Sequence, residues 1–444
     1  MNSLWLENIN FPKLQKLDKN LSTDVCIIGG GITGITLGYK LKKENIPFVL
    51  IEKDRVSSKS SGHTTAKITS QHGLIYNYLE KAYSLNFAKD YLHANQDAIE
   101  DIYNIITNEN IDCDFERNDS YVFTNDNNKI DNIKNEYDTL QKLDFNAQLL
   151  DRVDLPLKSV CAIKFPNQAK FNPTKYILAL INTFKDNIYE DTCAINISKN
   201  GNGFIIETKN GSNITCKKLV IATKYPIKDI PGFYFTKLYQ ETSYVIAITA
   251  NTNIDGMYIN CDTPKISLRS TNYNNENVIL IGGENHRTGE KVNILNKYDN
   301  LENIARSLFN DYKILFKWNT EDTISLDKIP YIGKFSSLYK NCYVATGFNK
   351  WGMTSSNIAA NILFDNIIEK KNKYTYLFNS TRFNIIKNRK AFGELIKESV
   401  KGLVTNKQKV KIQDYSNLEN ENGIIIKENE KLVGVFKDNL RKNI

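Results

Sequence analysis

The chain has 444 residues, 41% of them hydrophobic and 24% charged, with a formal net charge of +8. That length exceeds one simple core and points to two domains of ordinary globular composition. The 58 basic residues are spread among 50 acids, which argues against a nucleic-acid footprint, and no apolar run reaches the length of a membrane-spanning helix.

Residues Met1 to Asp24 are too polar for a signal peptide. The following run, Asp24-Val-Cys-Ile-Ile-Gly-Gly-Gly-Ile-Thr-Gly34, reads as a buried parallel strand, a glycine turn and the start of a helix. Gly29, Gly31 and Gly34 stand at G-x-G-x-x-G spacing: a tight turn, a close approach for a pyrophosphate, and close helix–strand packing. The helix from Ile32 to Glu44 aims free N–H groups and its positive dipole end at that phosphate. A second apolar strand, Phe48 to Ile51, delivers Glu52, whose carboxylate can accept hydrogen bonds from a ribose diol. The unit therefore predicts dinucleotide binding.

After Glu52 comes a hydroxyl-rich loop, Ser57 to Thr65, placed by its position near the phosphates. Asn77 to Asn108 reads as helical, Asp114 to Asn125 as a strand, Asp131 to Leu143 as a helix, and Ser159 to Phe171 as strand-like. Asn172-Pro173-Thr174 is a helix start. Ile188 to Ser198, Phe204 to Thr208 and Asn213 to Ala222 predict a three-stranded meander joined by Asn/Gly turns. Leu238 to Gly283 holds several more strands, as expected of an antiparallel domain, and Asn296 to Asn310 reads as a helix. A strand at Cys342 to Ala345 then enters a second glycine turn, Thr346 to Thr354, and a helix from Ser355 to Lys370. Beyond residue 375 the chain is basic and polar, with one amphipathic patch (Phe392, Leu395, Ile396, Val400, Leu403) that packing on the protein's own body explains better than membrane contact. The seven cysteines are scattered, no C-x-x-C occurs and only four histidines are present. Neither a zinc site nor a disulfide framework is supported, and a reducing cytoplasm is the expected location.

Four motifs together resemble the FAD-dependent oxidoreductases of the D-amino-acid oxidase/glycine oxidase family. They are the Gly29 to Glu52 unit, Ser61 to Gly73, Asp327-Lys-Ile-Pro-Tyr-Ile-Gly333 and Ala345 to Thr354, supported by Ile281 to Gly289. The closest likeness is to the branch carrying a C-terminal Rieske iron–sulfur domain. The resemblance implies an α/β fold: a Rossmann-like FAD-binding domain (23–100, 150–225 and 325–372) with an inserted β-meander, and an antiparallel α+β substrate domain (101–149 and 226–324). Residues 1–22 would be an N-terminal extension. Residues 373–444 would be a linker and the remnant of a lost or truncated Rieske module, because Gly423 to Phe436 looks like its opening hairpin. No cysteine follows Cys342 and no histidine follows His286, so the C-x-H and C-x-x-H cluster ligands are missing.

By the same resemblance Gly29, Gly31, Ile32, Thr33 and Gly34 would hold the pyrophosphate, and Glu52 with Lys53 the adenosine ribose. Ser61, Gly62, Thr64 and Thr65 would line the path toward the ribityl chain. Cys193 would meet adenine mainly through its backbone, and Ala222 and Thr223 would also bind the cofactor. Asp327 and Gly333, with Gly347, Phe348, Gly352, Met353 and Thr354, would close over the flavin. Such enzymes remove hydride from a carbon bonded to nitrogen and leave an imine. Arg269, His286 and Trp351 are the candidate catalytic-pocket residues, Arg269 as a carboxylate anchor; His72 has a weaker claim and reads chiefly as a satisfied buried histidine. Many amino-acid-oxidising relatives carry an arginine five residues before the aspartate matching Asp327. Here that position is Asp322, which disfavours a carboxylate and favours an amine-bearing substrate, with oxygen or a separate acceptor taking the electrons. Two other readings stay open: a flavin-binding interaction module without turnover, and a flavoenzyme acting on a modified RNA base.

Overall fold

Four strands lie side by side in parallel, and their register decides where the site forms. Ile28, at the end of strand Leu21–Ile28, is level with Ile51 of strand Phe48–Ile51 and with Ile221 of strand Asn213–Ile221. Ile221 is in turn level with Val344 of strand Tyr339–Thr346. The chain leaves all four strands at the same edge, so Gly29, Glu52, Ala222 and Gly347 converge there, as open parallel sheets require of a ligand crevice. Alternation buries both faces: Val25 and Ile27 join one apolar cluster, Cys26 and Ile28 another.

This computed structural model describes residues 3–7, 9–382, 393, 418, 423–428 and 431–437. Contacts divide the chain into two units, 1–384 and 385–444. In the first, the parallel sheet also carries the predicted meander, strands Ala194–Asn200, Gly203–Thr208 and Asn213–Ile221. The predicted strand Ile188 to Ser198 is broken. Ile188–Glu190 pairs with Phe48–Ile51, while the next strand starts only at Ala194. Asp191, at φ 48°, makes the break, and Thr192 N–H donates to the Glu52 carbonyl. That kink carries Cys193 back toward the glycine turn.

The second sheet has the strand order Tyr312–Ser325, Leu238–Ala250, Glu276–Arg287, Ile266–Tyr273, Met257–Asn260, Glu116–Thr124, Cys161–Lys170, Lys67–Ile68, with Gln148–Leu150 also on Cys161–Lys170. It is antiparallel except where Met257–Asn260 runs parallel to Glu116–Thr124. Leu150, Cys161–Lys170 and Lys67–Ile68, expected with the nucleotide-binding part, belong to this sheet, because Ala162, Ile163 and Phe165 pair with Glu116–Thr124 and Lys67 with Lys170. The long predicted helix is two, Tyr76–Ala82 and Leu85–Asn108. Tyr83 caps the end of the first, and Ser84, in extended backbone, accepts the Phe87 N–H at 3.1 Å as N-cap of the second. Asn172 caps helix Pro173–Phe184 as expected, accepting from the Thr174 and Lys175 N–H groups.

In the second unit, Gly423–Glu428 and Lys431–Phe436 form an antiparallel hairpin with Glu428 opposite Lys431. The amphipathic patch at Phe392 to Leu403 lies outside the described residues. Among the described residues no helix is long and apolar enough to cross a membrane.

Candidate active site

The glycine turn is built as its spacing demands. Gly29 has φ +118°, and a Cβ there would sit 2.7 Å from the Ala222 carbonyl oxygen. A Cβ on Gly34 would collide with the Gly29 carbonyl oxygen. Only glycine lets helix Ile32–Lys43 start this close to the strands. Ser61 Oγ accepts the Ile32 N–H at 3.0 Å, and the Thr33 hydroxyl donates to Ser356 Oγ at 3.0 Å. That second bond joins the first turn of this helix to the start of the second turn of helix Gly352–Ile367. Two positive helix ends therefore face one space.

Glu52 is aimed before any ligand arrives. One carboxylate oxygen accepts Gly30 N–H at 2.7 Å and the other Asp54 N–H at 3.0 Å; each keeps a lone pair for a hydroxyl. The hydroxyl-rich loop is pinned on three sides. Ser60 Oγ donates to the Glu321 carbonyl at 2.9 Å, Trp318 Nε1 to the His63 carbonyl at 3.0 Å, and Trp5 Nε1 to the Thr64 carbonyl at 2.6 Å.

At the other end, Gly347 (φ +72°), Asn349 (φ 54°) and Lys350 (φ 73°) turn the chain into helix Gly352–Ile367. Asn349 Oδ1 accepts the Ser325 N–H at 2.8 Å, and its amide donates to the Gly347 carbonyl at 2.9 Å. Trp351 lies flat on His72, ring centroids 4.7 Å apart and planes 16° apart. His72 is fixed by Tyr91 OH and the Thr69 carbonyl, each at 2.9 Å. Burial pushes its imidazole down to about 3, so it is neutral.

One cavity of about 700 Å³ joins these parts. Of the expected cofactor residues, Gly29, Gly31, Ile32, Thr33, Glu52, Lys53, Ser61, Thr64, Thr65, Cys193, Ala222, Thr223, Gly347, Phe348, Gly352 and Met353 line it, and so does Trp351. The Cys193 carbonyl already accepts Lys209 N–H at 2.8 Å.

Seven expected residues lie outside the lining. Gly34 and Gly62 act through packing: a Cβ on Gly62 would strike the Ser57 carbonyl oxygen. Asp327 is turned away from the cavity into a two-point ion pair with Arg382, at 2.7 and 2.9 Å. Gly333 stands beside Ser380, and Thr354 Oγ1 is 3.4 Å from His72 Nε2. Arg269 is buried behind the wall, its guanidinium over the Trp5 ring and donating to the Ala66 carbonyl at 2.6 Å. It cannot reach a substrate carboxylate from there. Strand Glu276–Arg287 lines the cavity with Gly282, Gly283 and Asn285, whereas His286 stacks on Tyr244.

Sequence reasoning missed Lys67, Lys265, Ser267 and Asn285, all in the lining; Ser57, in the loop expected near the phosphates, and Lys350, in the late glycine turn, line it too. Lys67 sits inside the Ser61 to Gly73 motif, but nothing local marks it off from the other lysines. Asp322 also lines the cavity, opposite Glu241 across the strands, and burial pushes its carboxyl up. Glu241 itself pairs with Lys350 at 2.8 Å, and Glu321 with Lys224 at 2.6 Å.

The residues present fit an extended dinucleotide. Glu52 keeps a lone pair on each carboxylate oxygen for a ribose hydroxyl, and a Cβ at Gly29 or Gly34 would close the cradle in which the backbone meets a pyrophosphate.

A model of the family described as FAD dependent oxidoreductase matches residues 24–366, and the chain belongs to that family. It is 37% identical over 385 residues to a Bacillus subtilis (strain 168) protein provisionally named Rieske 2Fe-2S iron-sulfur protein YhfW, covering 86% of this chain and 75% of that protein. Among solved structures it is similar in fold to glycine oxidase from Geobacillus kaustophilus (TM-score 0.66, 17% identity, 82% of this chain and 100% of that one). It is also similar to L-proline dehydrogenase from P. horikoshii (TM-score 0.68, 16% identity, 82% and 98%). FAD is thus the cofactor of this oxidoreductase family.

Proposed function

We propose that the chain oxidises the C–N bond of a small amine or amino acid, passing hydride to FAD and leaving an imine. The observation that carries this reading is the single cavity running from the Gly29 turn and Glu52 to the sheet residues Ser267, Asn285 and Asp322. One end has the features of a dinucleotide cradle; the other is a chamber with polar groups for a small molecule. FAD supplies the two-electron chemistry, and the protein supplies binding, orientation and exclusion of water. Gly29, Gly31, Ser61 and Thr33 would hold the pyrophosphate region, Glu52 the ribose, and Gly347 to Met353 the flavin. Phe348, Trp351 and Met353 present apolar surface that keeps water from the reacting carbon.

The relatives support the class of substrate, since the two similar structures are named for glycine and L-proline. Asp322 in the lining supports an amine-bearing molecule, because a carboxyl can hydrogen-bond an ammonium or amine. Oxygen or a separate acceptor would take the electrons. All seven cysteines are free thiols, which supports a reducing cytoplasm as the working compartment. Purification, a visible spectrum and anaerobic mixing with a panel of amines and amino acids test the proposal. A yellow protein bleached by at least one amine is expected. A protein that takes up no FAD, or one that no amine bleaches, would contradict it.

A further inference from the structure

The side chain of Lys67 carries one cavity-facing group whose chemistry the reading above leaves unused. Strand Lys67–Ile68 is the edge of the second sheet, paired to Cys161–Lys170. From it the Lys67 side chain crosses to two other strands. Its Nζ donates to the Tyr258 carbonyl at 2.8 Å and to Ser267 Oγ at 2.6 Å, and both Lys67 and Ser267 line the cavity.

A charged ammonium has three N–H donors and no acceptor, whereas a neutral amine has two donors and one lone pair. The protein supplies two acceptors. The two donors of the neutral amine are thereby used, and its lone pair is the site left over.

The surroundings favour that neutral form. From strand Ile266–Tyr273 the buried Arg269 guanidinium faces Lys67, and Lys265 stands at the start of that strand. From Cys161–Lys170 comes Lys170, itself 3.2 Å from Glu116 of strand Glu116–Thr124. Tyr258 directs its hydroxyl to the Asp255 carbonyl, and the His63 ring sits against the Lys59 carbonyl. The carboxylates of Glu116, Asp114 and Asp255 act on Arg269 or Lys170; none of them offsets the burial of Lys67. Burial first, and the Arg269 charge second, push the Lys67 ammonium down to about 7.

We propose that Lys67 is the base that takes a proton from the substrate ammonium, so that the amine enters C–N oxidation neutral. This inference rests on the amine-oxidation reading. The N–H bond of the substrate ammonium breaks, its electron pair stays on the substrate nitrogen, and the proton bonds to the lone pair on Lys67 Nζ. Charge inside the cavity is conserved. The step matters because a protonated nitrogen has no lone pair with which to assist loss of hydride from the neighbouring carbon. A base whose affinity for protons is matched to neutral pH does this work best.

Two measurements test it. The first needs neither variant nor substrate. Isocyanic acid, the reactive form of cyanate, carbamoylates only neutral amines, so mass spectrometry after brief treatment at a series of pH values, with each rate divided by the isocyanic acid concentration at that pH, reads each lysine's free-amine fraction. Lys67 should label with a midpoint near 7, well below the exposed lysines; a profile that tracks the exposed lysines overturns the proposal. The second is kcat/KM against pH for an amine that bleaches the flavin, with Lys67→Met and Lys67→Arg beside the wild type. Melting and flavin absorbance show whether each variant is folded and loaded. Both variants should lose about a hundredfold at pH 7 and recover at high pH, where the substrate supplies its own free amine. A folded, loaded Lys67→Met with the wild-type rate and profile overturns the proposal. A wild-type protein that takes up no FAD would instead defeat the amine-oxidation reading, with the cyanate profile still reporting on Lys67.

Discussion

The nucleotide end and the substrate end of the cavity are built in different ways. Gly29, Gly31, Gly34 and Glu52 lie within 24 consecutive residues, and one strand–turn–helix–strand unit orients all of them. Lys67, Ser267, Asn285 and Asp322 come from four strands and meet only through the pairing of the second sheet. The first end is a local device whose backbone does the binding. The second is an assembly whose side chains acquire their chemistry from neighbours distant in sequence, as Lys67 does from Arg269.

This contrast can be broken or sharpened experimentally. The largest effect is expected from Asp327→Asn, a position in a family motif that the structure assigns to support. The substitution strands a buried Arg382 guanidinium that also donates to the Pro330 carbonyl at 2.8 Å. Loss of one partner of a buried pair costs about 3 kcal/mol. Denaturant unfolding should show that loss, while folded molecules keep a normal flavin spectrum. A changed flavin spectrum without loss of stability would return Asp327 to the cofactor.

Glu52→Gln comes next. It should weaken FAD retention by about tenfold, the worth of one charge-assisted hydrogen bond, as read by flavin release on dilution. Unchanged affinity would remove Glu52 from the ribose.

His72 makes a pH prediction. Its folded value is depressed to about 3 from an ordinary 6.5, so the unfolded chain binds the proton first as pH falls. The contribution of neutral His72 to stability is complete above about 6.5 and is lost as pH drops from there toward about 3. Chemical unfolding at stepped pH should show a decline over that window, smaller in His72→Phe, which keeps a flat ring against Trp351 but cannot protonate.

The smallest expected effect is a shift in a profile. Arg269→Met removes a positive charge facing Lys67, so the cyanate-labelling midpoint of Lys67 should move up. An unmoved midpoint would mean that burial alone sets it.

Legibility followed the same division. The parallel strands, the glycine turn, the Asn172 cap and the late turn at Gly347 were readable because each is specified by neighbours within a few residues. The break at Asp191 was not, since an aspartate in left-handed backbone leaves no pattern in an apolar run. Nor was the position of Cys161–Lys170, because strand character is local and pairing is not. Arg269 drew attention as an arginine in a strand near the expected pocket. Which side of the wall it occupies depends on Trp5 and Ala66, both about two hundred residues or more away. Lys67 is the converse case, ordinary in sequence and unusual only in its surroundings.

The claim that C–N oxidation occurs in this cavity is tested most directly by anaerobic single-turnover mixing with an amine deuterated on the carbon next to nitrogen. Flavin bleaching should be several-fold slower than with the undeuterated amine, because that C–H bond breaks as hydride leaves. Bleaching at the same rate for both, with the substrate saturating, would contradict the account.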